Sequence, residues 1–399
     1  MVQVTKPFRL INIAALLQQR YVLPVAFLFY LHNGLTLSDF ILFQSIFYAV
    51  SLVSEVPAGY IGDIFPRKVI MILSYLLYVF RIIAWLCFGG YYGLLFGEVF
   101  FGLSKAFSRG VCDSYIYDYL KSKNMSSSMI KRFGKYNFFL SAASAIGGMM
   151  GAFLYKHFEN FYILLVIELI LNITAITLIC FLPNVSHKKV HADHFILHLQ
   201  TVFCAFKNTL KNPNINLFIF YSAILTGTSN LLAWNFQPTM KAAHVPVILF
   251  GVLHLINHGC RAIFSLFAPR AMQKISYAKL SLLTGITHTG SFILLFLNQI
   301  VLNPVICFIS LVLICFSIGL QMIYYVATTA RVHDFIASDT RATSSSVLTM
   351  FAALFSSLFL YLFKEMANRT NLPQIYLIFT LLFMVTCYIF QKAKQKRLS

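Results

Sequence analysis

Between Gly97 and Leu120 the sequence reads GEVFFGLSKAFSRGVCDSYIYDYL. The stretch is apolar enough for a bilayer, yet it carries Glu98, Lys105, Arg109, Asp113 and Asp118. At about 100° per residue the first four fall within roughly 80° of one another on a helix, and Asp118 points to the opposite side. A charge at the bilayer centre costs at least ~2.5–3.5 kcal/mol even on insertion scales. The charged face is therefore expected to meet protein or a water-filled cavity. Arg109 is four residues from both Lys105 and Asp113, so Asp113 can neutralise one base and leave the other for a ligand.

Other charges sit as deep. Glu55 and Arg20 lie at similar depth on neighbouring elements and are expected to pair. Glu98 and Glu168, toward the far side of their spans, are carboxyls shielded from water and thus candidate proton carriers, with Glu55 a third. Arg81 is expected to snorkel or pack. His254, His258 and Arg261 form an i, i+4, i+7 stripe. Lys105, Arg109 and Arg261 together would suit a carboxylate or phosphate, since arginine offers a bidentate fork. Trp234, Asn230 and Gln237, with Gln321, Tyr324 and Tyr325, can add polar and aromatic lining. The expected substrate-binding set is Arg20, Lys105, Arg109, Asp113, Trp234, Arg261 and Tyr324. No resident metal and no cofactor is expected: the eight Cys form no CxxC pair and read as small hydrophobes. His187, His191, His194 and His198 share one helical face in the central connection, read as a solvated or membrane-surface face.

The elements that hold these residues are helices. Of 399 residues, 59% are hydrophobic and only 11% charged, with mean hydropathy +0.77. Soluble domains carry roughly 25% charged residues, so the chain is an integral membrane protein. Apolar runs of ~20 residues predict twelve spans near residues 11–32, 37–60, 69–88, 92–120, 133–157, 160–182, 214–236, 247–268, 279–297, 301–328, 341–363 and 372–391. Of the 31 Lys and Arg, only Lys156, Lys241, Lys364 and Arg369 fall in connections on the side opposite the N-terminus, and five lie within spans. The rest cluster on one side. This is the positive-inside pattern, which places both termini in the cytoplasm and explains the net charge of +19 without nucleic acid. Lys6 and Arg9 lead straight into a first span, with no cleavable signal expected. The longest connection divides the chain into an N-terminal six-helix half (1–182), a cytoplasmic loop (183–213) and a C-terminal six-helix half (214–399), a construction frequent in transporters. Asp39, Glu55, Asp63, Glu98, Asp113, Asp118, Glu159 and Glu168 all precede the loop, so carboxylate-based proton movement is expected in the first half.

After the second span comes Gly59-Tyr60-Ile61-Gly62-Asp63-Ile64-Phe65-Pro66-Arg67-Lys68. This resembles the loop signature of the major facilitator superfamily, with Ile64 and Pro66 where a base and a glycine are usual. Gly102-Leu103-Ser104-Lys105-Ala106 is similar to that family's fourth-helix segment. Gly110, Tyr117-Asp118-Tyr119-Leu120 and Arg341-Ala342-Thr343 resemble a bacterial subgroup. The helix with Gly147, Gly148 and Gly151 lacks the glycine–proline pattern of drug/proton antiporters. The resemblance implies an all-α fold of twelve transmembrane helices in two halves. It also implies a cytoplasmic gate in which Asp63 and Arg67 engage Asp118, with Gly59, Lys68 and Arg341 as further gate positions.

The expected function is secondary active transport across the inner membrane by alternating access, coupled to protons, with an organic anion such as a metabolite or siderophore as substrate. The competing reading is a multidrug/proton antiporter exporting lipophilic cations. A membrane enzyme would need a nucleophile–base pair or a metal cluster, and an energised pump a phosphate-binding loop; neither pattern occurs. A non-transporting receptor of the same fold is the remaining alternative. The partners expected are the substrate, protons and lipid, with the chain acting as a monomer.

Overall fold

In the computed structural model the protein is built of α-helices. Placement is described for residues 2–123, 129–185, 213–334 and 341–398, and for Gln200 and Lys207. The helices are α1 (Val2–Leu17), α2 (Ala26–His32), α3 (Leu37–Ile64), α4 (Arg67–Cys87), α5 (Gly90–Ser108), α6 (Val111–Ser122), α7 (Met129–Phe158) and α8 (Phe161–Cys180). Then follow α9 (Pro213–Trp234), α10 (Phe236–Ala242), α11 (Ile248–Lys274), α12 (Tyr277–Val301), α13 (Pro304–Asp334), α14 (Arg341–Ala367) and α15 (Leu372–Leu398). Among the described residues, nine helices are long and apolar enough to cross a membrane. The histidines at 187, 191, 194 and 198 lie outside the described residues.

Two expected spans are broken. The first, expected as one helix over 11–32, begins at Val2, stops at Leu17 and resumes through a 3₁₀ turn at Leu23–Val25 into α2. Pro24, in the first turn of the resumed helix, lacks the N–H that a continuous helix would donate to the Arg20 carbonyl. The fourth, expected over 92–120, divides at Arg109, whose backbone is extended (ψ 119°). Gly110 follows at φ +72°, a left-handed conformation that glycine adopts without penalty.

Contacts divide the chain into two units, Met1–Leu35 with Ile46–Leu199, and Thr36–Ser45 with Gln200–Ser399. In the first, α4 packs on α5 and α8, and α1 packs on α7 and α8. Its core gathers Phe8, Ile11, Ile70, Tyr75, Tyr115 and Ile179. In the second, α11 packs on α13, α9 on α14, and α12 on both α13 and α15. The first residues of α3 belong to this unit: the Ser45 hydroxyl donates to the Ser357 carbonyl (2.8 Å), and the Phe40 ring meets Trp234 edge-on at 5.7 Å. Leu282, Ile286, Ile293 and Leu297 along α12 are exposed, the outward apolar surface expected where lipid replaces water.

Candidate functional site

The first helix breaks where the first unit is most charged. Gln18 N–H still donates to the Ala14 carbonyl, and the Gln19 side chain closes on the Ala15 carbonyl (2.6 Å). Arg20 then leaves the helix. Its guanidinium stands 4.3 Å above the Phe101 ring and 3.6 Å from Glu98 Oε1. Glu98 is fully buried and also accepts from the Tyr30 hydroxyl (3.2 Å), while its second oxygen has no hydrogen bond. The expected partner of Arg20 was Glu55. The break turns Arg20 toward α5 instead, and Glu98 takes that place.

Behind this pair lies a second. Arg81 and Glu168 are both fully buried and meet at 3.1 Å. The Arg81 guanidinium lies over Trp85 at 3.9 Å. Glu168 Oε2 also accepts from the Tyr78 hydroxyl (3.2 Å), and Oε1 from the Val22 backbone N–H (2.8 Å). Arg81 therefore neither snorkels nor merely packs. In a span both charges must be neutralised locally, and each supplies the other's partner.

The third pair ties α3 to the end of α5. Arg109 bonds the Glu55 carboxylate and, through Nη2, the Ser51 hydroxyl (3.1 Å). The sequence spacing pointed to Asp113 as its neutraliser. That spacing holds only on a continuous helix, and the break at Arg109–Gly110 swings the arginine across to α3. Asp113 lies on α6, with its side chain outside what is described.

Lys105 differs from these three. It is exposed, its amine sits 5.3 Å from the centroid of the Phe101 ring, and it stands within electrostatic reach of Arg20, Arg109 and Arg81. Among the described side chains no carboxylate lies within ion-pair distance of it. Phe101 thus has Arg20, Arg81 and Lys105 around one ring, with Phe47 stacked on it at 4.7 Å.

Toward the α3–α4 turn, Arg67 faces Asp118 at 3.9 Å and also bonds the Gly62 carbonyl. Lys68 donates to the carbonyls of Cys180 (2.7 Å) and Leu182 (2.9 Å), so it caps the C-terminal end of α8. Gly59 is an exposed position of α3. The side chains of Asp63 and Arg341 lie outside what is described; their backbones sit near the end of α3 and at the start of α14.

The interior of the second unit is built differently. Arg261 is half-buried on α11, near His254 and His258, whose rings are 4.4 Å apart. Tyr324 is fully buried among Tyr277 (4.8 Å) and Tyr221 (5.5 Å), and Trp234 is half-buried. Sequence reasoning passed over His288. It is fully buried, with Nε2 2.8 Å from the Ser229 hydroxyl and Nδ1 2.9 Å from that of Ser317. A histidine in the middle of an apolar run was the available signal. Among the described residues no group of three or more His, Cys, Asp or Glu is placed to hold a metal ion.

No curated protein sequence matched the chain. Solved structures did. The nucleoside transporter NupG superposes with TM-score 0.79 at 13% identity, covering 98% of this chain and 99% of its own. A POT family transporter in complex with 5-aminolevulinic acid gives TM-score 0.74 at 12% identity, covering 99% and 96%. The human organic anion transporter MFSD10 (TETRAN) gives 0.63 at 13% identity, covering 97% and 98%. These likenesses establish the fold, and the sequence establishes the family: residues 10–360 match the Major Facilitator Superfamily, so this chain, with its buried ion pairs and broken helices, belongs to that superfamily of membrane transporters.

Proposed function

We propose that the protein carries an organic anion by alternating access, driven by protons. The observation that supports this most is Lys105. Arg20, Arg81 and Arg109 each have a glutamate, and Lys105, exposed beside them, has none among the described side chains. A base held in a span without an acid calls for water or an anionic ligand. Arg109, only partly covered, stands one helical turn away and can share that ligand. Arg261 is the corresponding base of the second half.

Glu98 is the proposed proton carrier. Its second oxygen is buried without a hydrogen bond, so a proton there displaces no hydrogen bond. Protonation would release Arg20 from its ion pair and let it meet the substrate. Glu55, bound to Arg109, is the second candidate. In this reading the helices make twelve membrane spans in two six-span halves, 1–182 and 214–399, joined by residues 183–213, with both termini in the cytoplasm. The Arg67–Asp118 pair, with Asp63, works as the cytoplasmic gate. The protein acts as a monomer in the inner membrane.

Transport by the purified protein in proteoliposomes tests this. Anionic metabolites, siderophores and cationic dyes are offered with and without an inside-directed or outside-directed pH gradient. Proton-dependent flux of an anion, weakened by Lys105→Gln, is the expected result. Tight binding of lipophilic cations that ignores Lys105→Gln and Arg261→Gln would instead make the protein a drug exporter.

A further inference from the structure

The two fully buried glutamates of the first unit are not equivalent. Glu98 leaves one oxygen without a hydrogen bond, whereas both oxygens of Glu168 are taken. One of the donors to Glu168 is a backbone group, the N–H of Val22. Val22 sits inside the break between α1 and α2, where the helical ladder cannot serve it. Unwound backbone at membrane depth is tolerated only when its polar groups find partners elsewhere in the protein. Here α7 and α8 both shape the unwound strand. A side chain at Gly151 would place its Cβ 1.8 Å from the Tyr21 carbonyl oxygen, and one at Gly147 would come within 2.9 Å of Gln19. The strand therefore lies directly on the glycines of α7 and is pinned by the carboxylate of α8.

We propose that Glu168 is a positioning residue: its carboxylate holds the first helix open at residues 18–22 and so sets Arg20 against Glu98 and Phe101. The residue type fits this double task. The Arg81 guanidinium is fully buried and needs an anion, and the Val22 N–H needs an acceptor at the same place. A glutamine could accept from Val22 but would turn an amide N–H₂ toward Arg81. An aspartate would keep the charge but is one methylene too short to reach both donors. Only in treating Arg20 as the mobile base of the transport site does this inference rest on the proposed function; the clamp is independent of any substrate.

Hydrogen exchange of the full chain in lipid nanodiscs reads the clamp directly. Glu168→Asp is expected to raise exchange in peptides covering residues 18–25 by tenfold or more, with peptides of α11 to α13 unchanged. The double variant Glu168→Gln with Arg81→Met removes the need for an anion while leaving an acceptor for Val22, and it should exchange there as slowly as the parent. The placement of Arg20 is read by thermal unfolding. Arg20→Met should lower the melting temperature of the parent, and by less than half as much in the Glu168→Asp background, because Arg20 is then no longer held against Glu98. Unchanged exchange in Glu168→Asp, fast exchange in the double variant, or an equal Arg20→Met effect in both backgrounds would each overturn the proposal. None of these readouts involves transport, so a failed flux assay bears on the proposed function and leaves the clamp standing.

Discussion

At the scale of single residues, buried arginine–glutamate pairs mark the first unit, and buried neutral hydrogen bonds are prominent in the second. Three arginine–glutamate pairs cross the interior of the first unit. In the second, Ser229, His288 and Ser317 join three helices, and Gln321 donates to Thr226 (2.9 Å). A pair of opposite charges out of water is strongly sensitive to losing one member, because the other is left uncompensated. Two predictions belong here. Lys105→Gln and Arg109→Gln should each weaken equilibrium binding of the transported anion by about 10- to 100-fold, the value of one or two charged hydrogen bonds. Titration calorimetry with the substrate found by flux screening checks this, and unaltered affinity in both removes these bases from the site. Glu98→Gln should abolish proton-driven accumulation but leave substrate exchange across the membrane intact. Substrate-induced proton flux equal to that of the parent would exclude Glu98 as the carrier.

Whole elements show why these side chains meet. Two helices are broken, and at each break an arginine reaches a glutamate on another helix: Arg20 reaches Glu98 on α5, and Arg109 reaches Glu55 on α3. Pro24 stands in the 3₁₀ turn where helix resumes after the first break, and Gly110, at φ +72°, at the second. Gly110 has open space around its Cβ position, so crowding does not dictate glycine there. The backbone conformation does. Placing a β-carbon in that conformation costs roughly 1–2 kcal/mol, and relaxing it would straighten α5 into α6 and draw Arg109 away from α3. Gly110→Ala is therefore expected to lower the melting temperature and to mimic Arg109→Gln in ligand affinity. Full affinity in a normally folded Gly110→Ala protein would show that the break does not position Arg109. Lys68 acts on an element rather than a ligand, since it holds the last carbonyl of α8, that of Cys180, and the Leu182 carbonyl just beyond it.

For the molecule as a whole, the proposed gate is the part best tested by function. Arg67 and Asp118 face each other within the first unit at 3.9 Å, and both are partly exposed. Such a pair contributes little to stability, ~0–1 kcal/mol, so its loss should not unfold the chain. The expected outcome for Asp118→Asn, and for Asp63→Asn, is a protein that inserts and melts normally but transports at a small fraction of the parent rate. Initial rates in proteoliposomes decide, and normal rates in both variants would take the latch out of the mechanism. The superfamily and its solved relatives share the fold at 11–14% identity, so the fold itself says little about cargo. The charges of the interior must carry that information.

Membership in the superfamily was legible in the sequence, as was the helical, membrane-spanning character. Hydrophobic length is a local property, and the loop motif around Asp63 and Arg67 is contiguous. The charges that the first unit gathers were also legible one by one, because Arg20, Glu55, Glu98, Lys105, Arg109 and Glu168 stand in apolar runs, and a bilayer makes a charge there costly. Which charge meets which was not legible. Periodicity assumes an unbroken helix, and on that assumption Arg109 belongs to Asp113 and Arg20 to Glu55. Pro24 and Gly110 break the two helices involved, and after a break the direction of a side chain depends on what the strand packs against. Glycines 147 and 151 on α7, the Glu168 carboxylate on α8 and the Phe101 ring on α5 settle that direction for Arg20. They are distant in sequence, and only the tertiary structure brings them to one place.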